Sequence, residues 1–309
     1  MEEKRIKELL EFIENNHNSK SHIEISEKDF QEILPKLTNS TLYAVDGGCS
    51  IILDGGSWII AKIKTCYVAY QNTSKLKEES NEFLVALIKN SKVILAKKDN
   101  NITLLNAKDL EDGVNIMRSL FELDLLKKIS ETANEKDIIL RDGSLSFPEE
   151  NQEENKNLNE IKELCKKKNL FLVGINKTSR QSEGGRPILG IINEFSSKYL
   201  KNKAWLYSKE KIVKFHPFSD FCFKIDYENE NFKDIMSYIA YYSSDPEILG
   251  YPYPLFKADK IARVMEFEKV SESNKIKMVS KHLGKEFIEF DEKSAIFHDL
   301  LDKRAYRNG

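Results

Sequence analysis

The segment TLYAVDGGCS (41–50) decides the fold that we predict for this chain. Residues 41–46 form a mostly apolar run of strand length, and the glycines that follow predict that the strand ends at Asp46. The segment DIILRDG (137–143) repeats the pattern, with Asp142 after a second short apolar run. Two aspartates at the ends of neighbouring buried strands can converge. The sequence therefore predicts a pair of carboxylates at one edge of a buried sheet.

The residues on either side extend these strands into an α/β fold with a mixed sheet. SIILDGGSWIIAKIK (50–64) predicts a hairpin that turns at Asp54-Gly55. Further strands are predicted before a long helix over about 109–132, after which the chain alternates strand, helix and strand. The segments of these strands are TCYVAY, KVILAK and NITLLN before the helix, and DIILRD and LFLVGI after it.

The remaining residues predict elements appended at both ends of this core. An opening helix and a short helix from Ser26 form a helical lead-in over 1–40. Three strands at KAWLY, KIVKFH and FCFKID are followed by helices at about 231–243, 255–270 and 291–304. We expect one domain over 1–309, with its core over 41–309.

The composition indicates a soluble protein without a strong charge bias. The chain has 309 residues and a net charge of −2, so it lacks the basic balance typical of many nucleic-acid binders. No apolar run approaches the roughly 18 residues of a membrane span, and the charged N-terminus does not resemble a secretory signal. Its four cysteines form no CxxC pair. We therefore expect a cytoplasmic protein with reduced thiols and no membrane partner. The composition does not indicate its function.

Three carboxylates follow one another in an order that suits metal chemistry. Glu122, on the long helix, lies between Asp46 and Asp142 in the chain, which is the Asp–Glu–Asp order of an RNase H-like core. Phosphodiester hydrolysis needs an activated water and a neutralised leaving oxygen, and two divalent ions roughly 3.5–4 Å apart can supply both. Magnesium and manganese prefer oxygen ligands. The pattern alone leaves two alternatives open, because an Asp-Gly pair is also a common turn and Glu122 has acidic neighbours on its helix.

Six segments carry a family resemblance. In chain order they are AVDGG (44–48), MRSLFELD (117–124), LRDGSL (140–145), VGINKTSR (173–180), VKFHPFSDFCFKID (213–226) and GYPYPLFKADKIARV (250–264). Together they resemble the NurA family of nucleases, which work with the HerA hexameric ATPase in processing DNA ends. The resemblance implies a metal-dependent nuclease acting on single-stranded DNA as a 5′-to-3′ exonuclease and endonuclease, with manganese preferred and magnesium as the alternative. It also implies a homodimer that binds HerA and acts in DNA end resection and repair.

The resemblance also implies metal ligands. By position in the segments these are Asp46, Glu122 and Asp142, with Arg118 one turn before Glu122 either orienting it or pairing locally. The chain departs from the family at Asp259, where a histidine is common. A carboxylate is chemically competent there, so Asp259 is expected as a fourth catalytic ligand, and a surface pair with Arg263 at i+4 is the alternative.

Three residues are expected to contact nucleic acid. Lys177 and Arg180, in the polar loop 176–187, are interpreted as phosphate contacts, with solvated loop cations as the alternative. Tyr251 is interpreted as a ring that stacks on bases, and packing in the core is the alternative.

Two other functions compete with the nuclease. A catalytically silent clamp or adaptor of a HerA-type ATPase is the main alternative, although such a protein has no need for crowded carboxylates. A phosphotransferase is disfavoured because GGRP (184–187) lacks the GK[ST] ending of a phosphate-binding loop.

Overall fold

The structure is a computed structural model that describes residues 2–17, 24–90, 93–177, 182–183, 186–228 and 232–285. Arg180 and the helix predicted at 291–304 lie outside these residues. Within the described ranges, we find no helix with both the length and the apolar character needed to cross a membrane.

One large sheet organises the described strands. The strands are β1 (Phe30–Glu32), β2 (Leu42–Asp54), β3 (Trp58–Gln71), β4 (Ser74–Asn90), β5 (Val93–Lys98), β6 (Asn101–Leu105), β7 (Ile138–Asp142), β8 (Phe171–Asn176), β9 (Ser182–Glu183), β10 (Arg186–Pro187), β11 (Trp205–Tyr207), β12 (Ile212–Lys214) and β13 (Phe223–Tyr227). The sheet has the order β1-β11-β12-β13-β8-β7-β2-β3-β4-β5-β6, and β9 pairs with β10 separately.

Seven α-helices accompany the strands in the described ranges. They are α1 (Glu2–His17), α2 (Leu110–Thr132), α3 (Gln152–Lys167), α4 (Ile188–Tyr199), α5 (Phe232–Tyr241), α6 (Tyr253–Ala262) and α7 (Glu266–His282). Five adjacent strands of the sheet run β4-β3-β2-β7-β8, with Asp46 on the first of them in the chain and Asp142 on the fourth. Glu122 lies on α2 between them. The RNase H-like mixed sheet flanked by helices is therefore confirmed.

The predicted end of the first strand is wrong. β2 continues through Gly47 and Gly48, which lie opposite Thr65 and Lys64 of β3, and it turns only after Asp54. The glycines serve close packing instead of a turn. A Cβ at Gly47 would crowd the Glu122 carboxylate, and one at Gly48 would overlap the carbonyl of Ala262. Asp46 consequently lies inside a long strand instead of at its end.

Other elements also differ from the predicted ones. β1, β4, β9, β10 and α4 have no predicted counterpart. The second strand of the predicted hairpin and the predicted strand TCYVAY form the single strand β3, and the single helix expected over 255–270 is two helices. β4 has no two-residue burial period because its first half is exposed on both faces. The break before α7 is stabilised by Glu268, whose carboxylate accepts a hydrogen bond from the amide of Met265 at 2.8 Å.

Contacts divide the chain into two units, each with its own core. The first comprises Met1–Ser40, Leu140–Leu145 and Phe171–Phe256, and the second comprises Thr41–Ile139, Ser146–Leu170 and Lys257–Gly309. In the first, aromatic and aliphatic side chains of Trp205, Tyr207 and Ile192 are buried together. In the second, α2 packs on one face of β3, β4 and β5, where burial of its apolar side chains supplies the main stabilisation. Both β7 and α6 have residues in each unit, and one domain over 1–309 stays a prediction.

Candidate metal centre

Asp46 is a buried carboxylate on β2. Its Oδ1 accepts a hydrogen bond from the amide of Gly47 at 2.8 Å. Cys66 lies opposite on β3, and burial, followed by the Asp46 charge, raises the pKa of its thiol to about 12. The thiol therefore stays protonated and donates to the carbonyl of Ala258 at 3.1 Å. This bond ties α6 to β3 beside Asp46.

Glu122 is held next to the same stretch of β2. Its side chain is only 2% exposed and pairs with Arg118 one turn earlier on α2. Arg118 also donates to the carbonyl of Gly47 at 3.2 Å. Burial lowers the pKa of Arg118, but the charges of Glu122, Cys49 and Asp46 raise it, and the net effect is a pKa above the ordinary value. A permanently charged guanidinium thus balances these acidic groups.

Asp259 lies in α6, in the turn that begins with Ala258. Its carboxylate accepts a hydrogen bond from Arg263 at 2.8 Å, so the local i,i+4 pair expected as the alternative is present. The side chain is nevertheless half-buried, and α6 is fixed to β3 by the Cys66 bond. The pair with Arg263 therefore does not remove Asp259 from the neighbourhood of β2.

Asp142 is the last residue of β7 and forms an ion pair with Lys177. Lys177 Nζ lies 2.5 Å from Asp142 Oδ2. The same ammonium lies 5.3 Å from the ring centre of Tyr251, a cation–π arrangement. Tyr251 is buried and its ring packs near Phe223 at 5.3 Å, so it occupies both the core and the margin of the site.

The loop after Asp142 is fixed by Asp226 of β13, which the sequence did not single out. Asp226 Oδ2 accepts hydrogen bonds from Ser144 Oγ at 2.7 Å, from the Leu145 amide at 3.0 Å and from Asn176 Nδ2 at 3.3 Å. These bonds hold the DGSL segment against β8. In the sequence, Asp226 is marked only by its place at the end of a predicted strand, where many aspartates lie.

Three of the four predicted ligands come together. Asp46, Asp142 and Asp259 each offer one carboxylate oxygen, and these oxygens lie within 4.8 Å of one another. Three partly buried carboxylates repel one another unless a cation neutralises them. A donor set of oxygens alone fits a hard divalent cation such as magnesium or manganese. Glu122 is not part of this trio and is paired with Arg118.

Comparison with known proteins shows the family of the chain. The sequence model described as the NurA domain matches residues 40–264, well over half of the chain. The chain belongs to the NurA family. The match includes all four predicted ligands, and NurA membership supports a nuclease. No curated protein sequence matches the chain.

Two solved structures are similar to the chain. A crystal structure of NurA with manganese is 12% identical, with a TM-score of 0.56, and the match covers 91% of this chain and 97% of that one. The catalytic domain of human Endonuclease V is 13% identical over 82% of this chain and 92% of that one, with a TM-score of 0.40. The NurA likeness therefore establishes the architecture over nearly the whole chain.

Proposed function

We propose that this chain is a divalent-metal-dependent deoxyribonuclease that hydrolyses single-stranded DNA, as a 5′-to-3′ exonuclease and as an endonuclease. The observation that carries the proposal is the trio of carboxylates Asp46, Asp142 and Asp259 in a chain of the NurA family. We further propose manganese as the preferred ion, supported by the donor set and by the manganese in the NurA crystal structure.

The residues of the trio would hold the ion between β2, β7 and α6. A bound divalent ion supplies Lewis acidity and a more acidic water at such a site. Glu122 lies next to Gly47, which follows Asp46, and would act as a further ligand from α2 if its pair with Arg118 opened. Arg118 would balance the acidic charge and orient Glu122.

Lys177 changes partners in this proposal. Its ammonium now neutralises Asp142 at 2.5 Å. A divalent ion held by Asp142 would weaken this pair, and the partly exposed ammonium would then bind a phosphate oxygen. Tyr251, in cation–π contact with Lys177, limits where the side chain can go. Lys177 thereby serves as a phosphate contact only after the carboxylate has another cation.

We propose two partners in addition to DNA. A HerA-type ATPase and a second copy of the chain are supported by the family membership. In this view the nuclease acts with the ATPase in DNA end resection and repair.

The first prediction tests the carboxylates. Asp46→Asn and Asp142→Asn are each expected to reduce manganese-dependent cleavage of end-labelled single-stranded DNA by at least roughly a hundredfold, since each removes a charge from the site. Each is also expected to weaken manganese binding measured by calorimetry. The melting temperature should hold or rise, because repulsion among the carboxylates is relieved.

Asp124→Asn is the matched control, an exposed aspartate two residues after Glu122 on α2. It should cleave and bind manganese like the wild type. Near-normal cleavage by the Asp46 or Asp142 variant would refute the assignment of the site. A wild-type protein that binds the strand without cleaving it, with either manganese or magnesium, would favour the silent clamp.

A further inference from the structure

The loop 216–221, between β12 and β13, exposes two aromatic rings. Phe218 is 70% exposed and Phe221 is 68% exposed, although each lies in a loop whose other residues are well held. Exposing a large apolar ring to water is unfavourable. Two such rings within four residues therefore mark a surface that meets a ligand.

Hydrogen bonds hold the backbone of the loop in place, so the two exposed rings project from an ordered segment. Ser219 is buried, its amide donates to the carbonyl of His216 at 3.2 Å, and its Oγ accepts from the amide of Phe221 at 3.1 Å. Asn193 of α4 donates to the carbonyl of Asp220 at 2.9 Å. An ordered loop loses less conformational entropy when a ligand binds.

Two basic residues, Lys214 and His216, precede the rings in the chain. Lys214 is 92% buried, and burial lowers its pKa despite the nearby Asp220 carboxylate. Within the described ranges no ion pair is seen at Lys214, so its ammonium can pair with an anion that binds at the loop. His216 lies between Lys214 and the rings, with its imidazole 5.8 Å from the Phe218 ring and its Nδ1 accepting from the Phe218 amide. That bond leaves Nε2 as a donor for a ligand.

The loop adjoins the residues that lead to Asp142. A Cβ at Gly250 would overlap Ser219, so the loop packs against the residue just before Tyr251. Tyr251 contacts Lys177, and Lys177 contacts Asp142. This series of packed contacts links the loop that exposes the rings to Asp142.

We propose that loop 216–221 is a base-stacking subsite for single-stranded nucleic acid, with Phe218 and Phe221 as the stacking rings and Lys214 and His216 as the neighbouring phosphate partners. This inference rests on the proposed function, and it adds a second place, away from the metal site, where the strand is bound. Bases stack on aromatic rings largely without regard to sequence. The subsite would therefore bind a single strand of any sequence. It would exclude a duplex, because the bases of a duplex are stacked on each other and are not accessible to the rings.

The test measures binding of fluorescein-labelled oligo-dT by anisotropy in EDTA, where binding is separated from cleavage. Phe218→Ala and Phe221→Ala are each expected to weaken binding by roughly five- to tenfold, the low end for loss of one stacked base. Phe218→Tyr should restore the affinity, because it keeps the ring. Phe267→Ala is the matched control, since Phe267 on α7 is 72% exposed and outside the loop.

An abasic oligonucleotide of the same length distinguishes stacking from charge. It keeps the phosphates, so the wild type and both alanine variants should bind it equally if the rings stack on bases. Equal affinity of the double alanine variant and the wild type for oligo-dT would overturn the subsite. That result together with loss of binding to a HerA-type ATPase would instead identify the loop as a protein contact.

The outcomes separate this inference from the proposed function. If the wild type cleaves oligo-dT with manganese but the double variant binds and cleaves it equally well, the subsite alone is wrong. If the wild type neither binds nor cleaves oligo-dT, both are wrong. Circular dichroism should show unchanged melting for every variant, because the replaced rings are exposed.

Discussion

Asp259 has two competing sets of neighbours. Its carboxylate belongs to the trio with Asp46 and Asp142, and it also accepts a hydrogen bond from Arg263. Arg263 is 64% exposed, and ion pairs in water contribute only about 0–1 kcal/mol. A divalent ion shared by three carboxylates interacts more strongly than this pair. The pair with Arg263 therefore does not prevent metal binding, because this weak pair would open when the ion binds.

The second prediction follows from this balance. Asp259→Asn is expected to cut turnover by about tenfold or more and to weaken the dependence on manganese, as for loss of an electrostatic partner. Asp259→His should restore part of the activity, because imidazole also binds manganese. Rates of single-stranded DNA cleavage across a manganese titration measure both effects. Arg263→Gln is the control and should change little. Wild-type rates for Asp259→Asn would make the residue a surface charge.

Sequence patterns located the carboxylates of the site but not the groups that surround them. Asp46 and Asp142 each follow a short apolar run, and Asp259 occupies the position of a family motif where a histidine is common, so all three have local signals. The pairing of Lys177 with Asp142 has none, because it joins residues 35 apart through the β7 and β8 region. Asp226 is likewise recognisable only when the strands are in place. Contacts formed by tertiary packing leave little trace in a single sequence.

At the scale of elements, close approaches decide where the site residues lie. Gly47 and Gly48 were interpreted as a strand end, yet they allow α2 and α6 to come close to β2. β4 was missed for a related reason, since an exposed half-strand has no alternation of buried and exposed side chains. The long helix, the hairpin turn at Asp54-Gly55 and most other strands were predicted correctly. Their periodicity and turn residues are local properties of the chain.

The third prediction concerns Gly48. A Cβ there would overlap the carbonyl oxygen of Ala262, a backbone atom at the end of α6 that cannot easily move aside. Gly48→Ala is expected to destabilise the protein by about 1–3 kcal/mol, the usual cost of overpacking. It should also lower cleavage, because Asp259 lies in the same helix. Urea unfolding and the cleavage assay measure the two effects.

Gly190→Ala provides the matched control for that substitution. Gly190 lies in α4 with no heavy atom within 4 Å of an added Cβ. Alanine there should stabilise the protein by about 0.5–1 kcal/mol, since glycine is unfavourable in a helix, and should leave cleavage unchanged. If Gly48→Ala were as stable and as active as the wild type, the contact between β2 and α6 would not position Asp259.

For the whole molecule, the charge balance limits how DNA can be held. The chain has 48 basic and 50 acidic residues, so long-range attraction of a polyanion is weak. Affinity must come from local groups such as Lys177 and Lys214 and from contacts that do not depend on charge. A stacking loop meets that need. Such binding should be less sensitive to salt than that of a strongly basic protein, whose affinity depends on released counterions.

The proposed homodimer has a candidate surface at the end of the sheet. Leu95 of β5 lies opposite Ile88 on β4 and Leu104 on β6, and Ile102 lies two residues before Leu104. Ile88, Ile102 and Leu104 are exposed, whereas the other face of these strands packs on α2. A contiguous apolar surface marks an interaction site. It also complements itself in a two-fold interface, where a surface of one charge would repel its copy.

The last prediction uses this surface. Ile102→Glu combined with Leu104→Glu should convert a dimer at micromolar concentration into a monomer, because the interface would have to desolvate four carboxylates in the pair of copies. Light scattering after size exclusion measures the mass, and co-elution with a HerA-type ATPase tests whether that partner requires the dimer. Leu76→Glu, on the exposed half of β4, is the control and should remain dimeric. If the double variant stays dimeric, the dimer contact lies on another surface. A monomeric wild type that does not co-elute with the ATPase would refute both partners.

The metal site provides a separate control, because the carboxylate trio lies on β2, β7 and α6 and not on β5 or β6. The monomeric variant should therefore still bind manganese as the wild type does, which separates loss of assembly from loss of the site.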